Sequence, residues 1–116
     1  LNYGIVYDPP RIPTIEYIPN VFTPNNDGSN DRFWIKPGAK PYSDIALSVY
    51  DRNGALVFSS PEFHKLNNDV IGWDGSDANG QLLPDGVYFY SIDFSDQETG
   101  MSEIRNGQIT LASGSR

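Results

Sequence analysis

Carboxylate and amide side chains crowd one loop near the beginning of the chain, FTPNNDGSNDRF (residues 22–33), where they could bind a cation. Asn25, Asp27 and Asp31 offer the oxygen ligands that calcium takes in proteins. The order of an EF-hand is not matched, because counting from Asn25 the glycine falls at position 4 and a lysine at position 12. The same residues also favour a tight polar turn in which Gly28 supplies a positive φ. The loop therefore predicts either a calcium site or a turn capped by its own side chains.

A second polar loop, WDGSDANG (residues 73–80), offers the same choice. Asp74 and Asp77 could hold a cation. Asp-Gly and Asn-Gly pairs are also common in tight turns, so turn chemistry explains this loop without a ligand.

Groups that could perform catalysis are scarce. His64 is the only histidine, so a serine–histidine–aspartate relay would have to use it. It lies in a polar stretch, residues 61–69, which predicts a surface side chain. Two loop carboxylates could in principle hydrolyse a glycoside, but no pair among the fifteen acids stands out. We therefore expect no enzymatic activity.

The overall charge excludes other classes of function. The chain of 116 residues has a net charge of −7, which argues against a nucleic-acid partner. Residues 66–104 contain eight Asp or Glu and no Lys or Arg, which indicates a solubilising or cation-attracting surface. There is no cysteine, so disulfides and zinc–thiolate sites are excluded. No apolar run is long enough to span a membrane, and we expect no membrane insertion by this chain itself.

The elements that would position these loops are short strands. No window of helical length has a period near 3.6, whereas Ile45, Leu47 and Val49 alternate with less apolar residues. Asn53-Gly54 favours a two-residue type I′ hairpin turn that pairs Val49 with Phe58, although a three-residue loop with left-handed Gly54 would also fit. The predicted strands are Glu16–Phe22, Arg32–Lys36, Ile45–Asp51, Ala55–Ser60, Val70–Trp73, Gly86–Phe94 and Ser102–Leu111.

The strand that follows Asp85 defines the fold class most clearly. It alternates, and we assign Tyr88, Tyr90, Ile92 and Phe94 to the core face. Its approach, LPDGVY (residues 83–88), resembles the tyrosine corner of immunoglobulin-like domains, where the hydroxyl bonds to upstream backbone. Seven short strands with turn residues between them predict an all-β, immunoglobulin-like antiparallel β-sandwich.

The order of the motifs resembles a known family. The chain contains PNVFTPNNDGSND, then LSVYDRNGALVF, WDG, NG, LPDGVYFY and finally GQITL, between residues 19 and 111. This series is similar to the gliding motility-associated C-terminal domain, the type B sorting domain of the type IX secretion system of Bacteroidota. The residues that carry the resemblance are Pro19, Phe22, Pro24, Asn25, Asp27, Gly28, Asn30, Asp31, Gly54, Trp73, Asp74, Gly75, Gly80, Pro84, Asp85, Gly86, Tyr88, Gly107 and Leu111.

The resemblance implies a non-catalytic sorting domain at the end of a larger cargo protein. It implies passage through the periplasm, transport across the outer membrane to the cell surface or medium, and a PorP/SprF-like outer-membrane partner. Residues 1–14 are then expected to be a linker or an edge strand, and residues 15–116 the sorting domain. Because the chain begins with leucine, we expect it to be a fragment of a longer protein.

Two other functions fit the same pattern. The motif order also resembles the small immunoglobulin-like domain of flagellar-hook capping proteins and of some secreted enzymes, which would make the chain a structural module. A carbohydrate-binding or adhesin module is the second alternative, with Trp34 and Trp73 as possible sugar platforms. Packing in the core is favoured for both tryptophans.

Overall fold

The computed structural model describes residues 12–24 and 31–112, and these residues form strands joined by turns, with one helix of four residues. The predicted all-β sandwich is confirmed. The elements are β1 (Ile15–Tyr17), β2 (Val21–Phe22), β3 (Lys36–Pro37), β4 (Asp44–Tyr50), β5 (Leu56–Ser60), α1 (Phe63–Leu66), β6 (Gly86–Ser95) and β7 (Ser102–Leu111).

Two unequal sheets make up the sandwich. Five strands form the larger sheet in the order β2-β7-β6-β4-β5, and β1 pairs with β3 in the smaller one. All pairs are antiparallel except β2 with β7, which is parallel, so the larger sheet is mixed at this edge. Parallel strands need a long connection, and here the elements from β3 to β6 lie between β2 and β7 in the sequence.

The core lies on one face of the larger sheet. Alternate residues of β4 and β6 point into it, and Tyr88, Ile92 and Phe94 are buried as predicted, with Tyr90 partly buried. Segments outside the regular strands cover this face with large side chains. The buried members of this cover are Phe33, Ile35, Tyr42, Phe63 and Trp73.

The β4–β5 hairpin has the longer of the two predicted loops. The amide of Gly54 donates to the carbonyl of Asp51 at 3.0 Å, and Gly54 has φ +84°, so the loop has three residues and a left-handed glycine. One Asp51 carboxylate oxygen accepts bonds from the amides of Asn53 and Ala55, which stabilises this loop over the two-residue turn. A bulge then restores the predicted pairing of Val49 with Phe58.

Three of the predicted strands differ from the structure. The segment predicted as Arg32–Lys36 pairs as a strand only at its end, in β3, because the side chain of Asn67 bonds to both the amide and the carbonyl of Ile35. The segment from Val70 to Trp73 is a turn, because the side chain of Asn68 accepts the amides of Val70 and Ile71 and draws the backbone away from a ladder. Only one bridge remains, between Phe33 and Trp73. The first predicted strand divides into β1 and β2 on either side of Pro19, which has no amide hydrogen for a ladder.

His64 has a structural role that the sequence did not predict. Its ring is only partly exposed, and Nδ1 accepts the backbone amide of Ile45 at 3.1 Å. β5 ends at Ser60, which pairs with Leu47, so β5 does not reach the first residues of β4. There α1 lies beside β4, and His64 bonds to the amide of Ile45. His64 thus remains partly exposed, as a side chain near the surface, while this ring nitrogen is used in the fold.

Candidate recognition site at one end of the sandwich

Many residues of the sequence motifs meet at one end of the larger sheet, which we call the motif end. Phe22 at the end of β2 pairs with Leu111 at the end of β7, and Leu111 pairs with Gly86 at the start of β6. The tip of the β4–β5 hairpin lies at the same end, since Tyr50 pairs with both Leu56 and Phe89. Residues far apart in the sequence thus form one continuous region.

Trp73 is the centre of packing at the motif end. Its side chain is 1% exposed, and its ring centroid lies 5.4 Å from that of Phe22, 5.6 Å from Phe58 and 6.5 Å from Tyr88. The indole nitrogen donates to the carbonyl of Ser76 at 2.8 Å, so the one polar atom of the ring is satisfied. The prediction that Trp73 packs in the core is confirmed, and its buried ring offers no surface for a sugar.

Gly75 brings the loop after Trp73 against the sheet. Its φ is +88°, a conformation that side chains disfavour, and a Cβ atom there would lie 2.8 Å from Cδ1 of the buried Leu111. Its carbonyl accepts the amide of Leu83 at 2.9 Å, which fixes the start of the next segment. Glycine is therefore required here both by the backbone conformation and by the close approach of Leu111.

The tyrosine corner expected from the sequence is present. The hydroxyl of Tyr88 donates to the carbonyl of Pro84 at 2.5 Å, and Gly86 between them has φ +150°. Burial raises the pKa of Tyr88, and the negative charge of Asp51 raises it further. The phenol therefore stays protonated and remains a donor in neutral solution, which holds the segment from Pro84 against β6.

The acids of the 73–80 loop act as turn caps. One oxygen of Asp74 accepts the amide and the hydroxyl of Ser76, and its other oxygen lies 3.5 Å from the guanidinium of Arg32. Asp77 accepts the amides of Asn79 and Gln81, across a turn in which Gly80 has φ +81°. These contacts support the turn interpretation of this loop over a cation site.

The predicted calcium site cannot be compared in the same way. Asn25 and Asp27 lie outside the described residues, as do Gly28 and Asn30, while Asp31 is partly buried. Within residues 12–24 and 31–112 no three acidic, histidine or cysteine side chains are grouped so that they could hold a metal ion. The calcium site at Asp27, Asp31 and Asn25 stays a prediction.

A small cleft opens between the hairpin tip and the tyrosine corner. It has a volume of about 210 Å³ and is lined by Asp51, Arg52, Asn53, Val57 and residues 83–88. The motif residues Pro84, Asp85, Gly86 and Tyr88 form one wall, and Gly54 is next to the other. The sequence did not predict the contribution of Arg52 and Leu83 to a cleft; the only indication was that both lie within the motif segments LSVYDRNGALVF and LPDGVYFY.

The remaining motif residues lie beside this region or farther along the sheet. Pro19 and Pro24 are partly buried before and after β2. Gly107 lies in the middle of β7, opposite Tyr90, and a Cβ atom there would collide with the tyrosine ring. The motif residues that the structure describes are thus mostly structural, since they fix turns, corners and the packing of Trp73.

The comparison with protein families agrees with this fold and motif arrangement. Residues 16–111 match the CHU_C type IX secretion signal domain, so the chain belongs to this family. No curated protein matches the chain. Domains of this family act as sorting signals and are generally non-catalytic. Membership of the family implies contact with the secretion machinery and export of the cargo to the cell surface or the extracellular space. No helix among the described residues is long and apolar enough to cross a membrane.

Proposed function

We propose that this domain directs a larger cargo protein across the outer membrane through the type IX secretion system, and that it does so without catalysis. The cargo passes through the periplasm and reaches the cell surface or the medium. The partner that receives the domain is an outer-membrane protein of the PorP/SprF kind. The match over residues 16–111 supports the sorting role.

One structural observation supports recognition of the folded shape rather than of a linear peptide. The motif end is built from β2, the loop after Trp73, the tyrosine corner and the end of β7, which are separated by up to about ninety residues (22 to 111) along the sequence. No single peptide contains this surface. We infer that the apparatus binds the assembled motif end, with the cleft between Arg52 and Asp85 as the contact region.

The two alternative functions receive less support. A carbohydrate-binding module would need exposed aromatic platforms, and Trp73 is buried while Trp34 is only partly exposed. A structural module of an extracellular protein would share the sandwich but would not need the family's motifs. Neither alternative is favoured by a contact at the motif end.

An export assay tests the proposal. Residues 1–116 are fused behind a signal peptide and a carrier that is not itself exported, in a bacterium with a type IX system. We expect the carrier on the surface or in the medium, and Arg52→Ala to reduce the exported amount because it removes a charge from the cleft. Lys65→Ala is the matched control: it also removes one exposed positive charge, but at the opposite end of the sheet.

Two outcomes would contradict the proposal. One is retention of a folded fusion in the periplasm of the wild-type strain. The other is equal export from a strain that lacks the type IX apparatus. If the fusion is exported but Arg52→Ala and Lys65→Ala behave alike, sorting stands and the cleft is not the contact region.

Calcium binding at the Asp27 loop is a separate proposal. Asp27, Asp31 and Asn25 provide oxygen ligands within one turn of the sequence. If calcium binds only the folded domain, it stabilises that state by RT ln(1 + [L]/Kd), so millimolar calcium should raise Tm in the wild type and not in Asp27→Ala. Calorimetry that detects neither binding heat nor a change in Tm would leave only the turn interpretation.

A further inference from the structure

Within the part of the chain that the structure describes, residues 12–24 and 31–112, the edge of β7 is open over most of its length. This strand runs from Ser102 to Leu111, but its outer neighbour β2 pairs only with Thr110 and Leu111. Among the described residues, no strand pairs with residues 102–108 on that side, because β1 pairs with β3 instead. Free strand edges are templates for pairing with another strand.

The backbone groups that face this opening can be assigned. The amides of Thr110 and Ala112 donate to the carbonyls of Asn20 and Phe22, so even-numbered residues of β7 point towards the β2 side. The pairing of β7 with β6 has no bulge, so the alternation continues back along the strand. The amides and carbonyls of Ile104, Asn106 and Gln108 therefore point out of the sheet edge.

This edge is complementary to itself. If two β7 edges pair in antiparallel fashion about Ile104, each Ile104 exchanges two backbone hydrogen bonds with the same residue of the other copy. Glu103 of each copy then lies opposite Arg105 of the other copy. These two symmetric pairs are non-hydrogen-bonded pairs, in which the side chains are closely spaced. The exposed side chains of Ile104, each 64% accessible, come together on the outer face.

Other features of β7 favour this pairing. The edge has no proline and no lysine, two residue types that commonly prevent edge-to-edge contact, and its two charged residues, Glu103 and Arg105, have opposite signs. Glu103 is held in place by the hydroxyl of Tyr42 at 2.7 Å and by Arg105 of its own strand. Fixed carboxylates lose little side-chain freedom when a second guanidinium approaches.

The opposite edge of the sheet is less suited to pairing. β5 has five residues, contains a bulge opposite β4 and is followed directly by α1. It carries no charged residue, so it offers no complementary pair. The two edges therefore provide an internal comparison, since Leu56 on β5 is 57% exposed and matches Ile104 in size and exposure.

We propose that two copies of this domain associate through their β7 edges, as an antiparallel pair centred on Ile104 that joins the two larger sheets into one. This inference goes beyond the proposed sorting function and does not depend on it. A contact of this length buries less than a standard interface of about 1,600 Å², so we expect weak association that depends on protein concentration.

Disulfide trapping tests the geometry. The chain has no cysteine, so Ile104→Cys introduces the only thiol. Hydrogen-bonded antiparallel partners have Cα atoms about 5.5 Å apart, within the range that a disulfide spans. Under mild oxidation we expect Ile104→Cys to form covalent dimers at least about tenfold faster than the matched Leu56→Cys, which presents an equally exposed thiol on the other edge.

Charge reversal tests the register independently. Arg105→Glu places like charges opposite each other at two symmetric positions and should weaken self-association about tenfold in sedimentation equilibrium. Glu103→Arg should do the same, and the double variant, in which both charges are exchanged, should recover it. Tm of each variant shows that the fold is retained.

The results divide clearly. Preferential cross-linking at residue 104 with recovery in the double variant supports the pair. Equal cross-linking of Ile104→Cys and Leu56→Cys would overturn it, as would monomeric wild-type protein at the highest concentrations. The wild-type protein would also stay monomeric if the β7 edge bound a strand of an unrelated protein and not a second copy.

Discussion

Replacing Trp73 with alanine is expected to destabilise the domain by about 3–5 kcal/mol, the usual cost of removing a buried aromatic side chain. The indole contacts the rings of Phe22, Phe33, Phe58 and Tyr88, and it is 1% exposed. Its loss leaves a cavity at the motif end and frees the carbonyl of Ser76. Domains of this kind are stable by roughly 5–15 kcal/mol, so a large part of the total is lost.

Urea unfolding of wild type, Trp73→Ala and Trp34→Ala measures this effect. Trp34 is the matched control, because the same atoms are removed from a side chain that is only partly buried. We expect Trp34→Ala to cost clearly less, with similar m-values for all three proteins. Equal losses at the two positions would show that Trp73 is not the centre of packing at the motif end.

Export should follow this loss of stability. If the apparatus binds the folded motif end, the Trp73→Ala fusion should leave the cell in proportion to its folded fraction. Efficient export of a fusion that is unfolded at the growth temperature would contradict recognition of the folded shape, although not sorting as such.

The sequence was sufficient to predict the long strands of this fold. β4 alternates strictly because one face of it is buried, β6 buries Tyr88, Ile92 and Phe94 on one face, and β7 is predicted with its observed bounds. The tyrosine corner was predictable as well, since Pro84, Gly86 and Tyr88 each have a fixed conformational role. In these elements the local pattern and the tertiary environment impose the same choice.

Apart from the division of the first strand at Pro19, the failures occur where side chains bond to backbone groups that a strand would use. Asn68 captures two amides and turns the predicted strand at Val70 into a loop, and Asp51 captures two amides and lengthens the hairpin loop. His64 could not be placed because its partner, the amide of Ile45, is free only once β5 has ended. Such contacts depend on tertiary geometry and leave no periodic pattern in the sequence.

The candidate site shows the same division. Gly75, Asp74 and Asp77 were recognisable as turn residues, and the turn interpretation holds for all three. The close approach of Gly75 to Phe22 and Leu111 was not predictable, because the parallel pairing of β2 with β7 brings these two residues together. The motifs identify residues of the candidate site, and the sheet topology determines which of these residues lie in contact.

Gly75→Ala is expected to destabilise the domain much more than Gly80→Ala. Both glycines have a positive φ, +88° and +81°, which costs an alanine about 1–2 kcal/mol. The new methyl group at Gly80 meets no atom within 4 Å, whereas at Gly75 it lies 2.8 Å from Leu111 Cδ1. Because Leu111 is 1% exposed and closely packed, it cannot move freely, and overpacking adds about 1–3 kcal/mol.

A double-mutant cycle identifies the cause of this difference. Leu111→Val shortens the side chain that the new methyl group meets, so Gly75→Ala should cost less in the Leu111→Val background than in wild type. Gly80→Ala combined with Leu111→Val should be additive, since these residues share no contact. Free energies from urea unfolding give both coupling values. If Gly75→Ala and Gly80→Ala were equally destabilising, the cost at Gly75 would come from its backbone conformation alone, and the close approach to Leu111 would have no role in holding the motif end together.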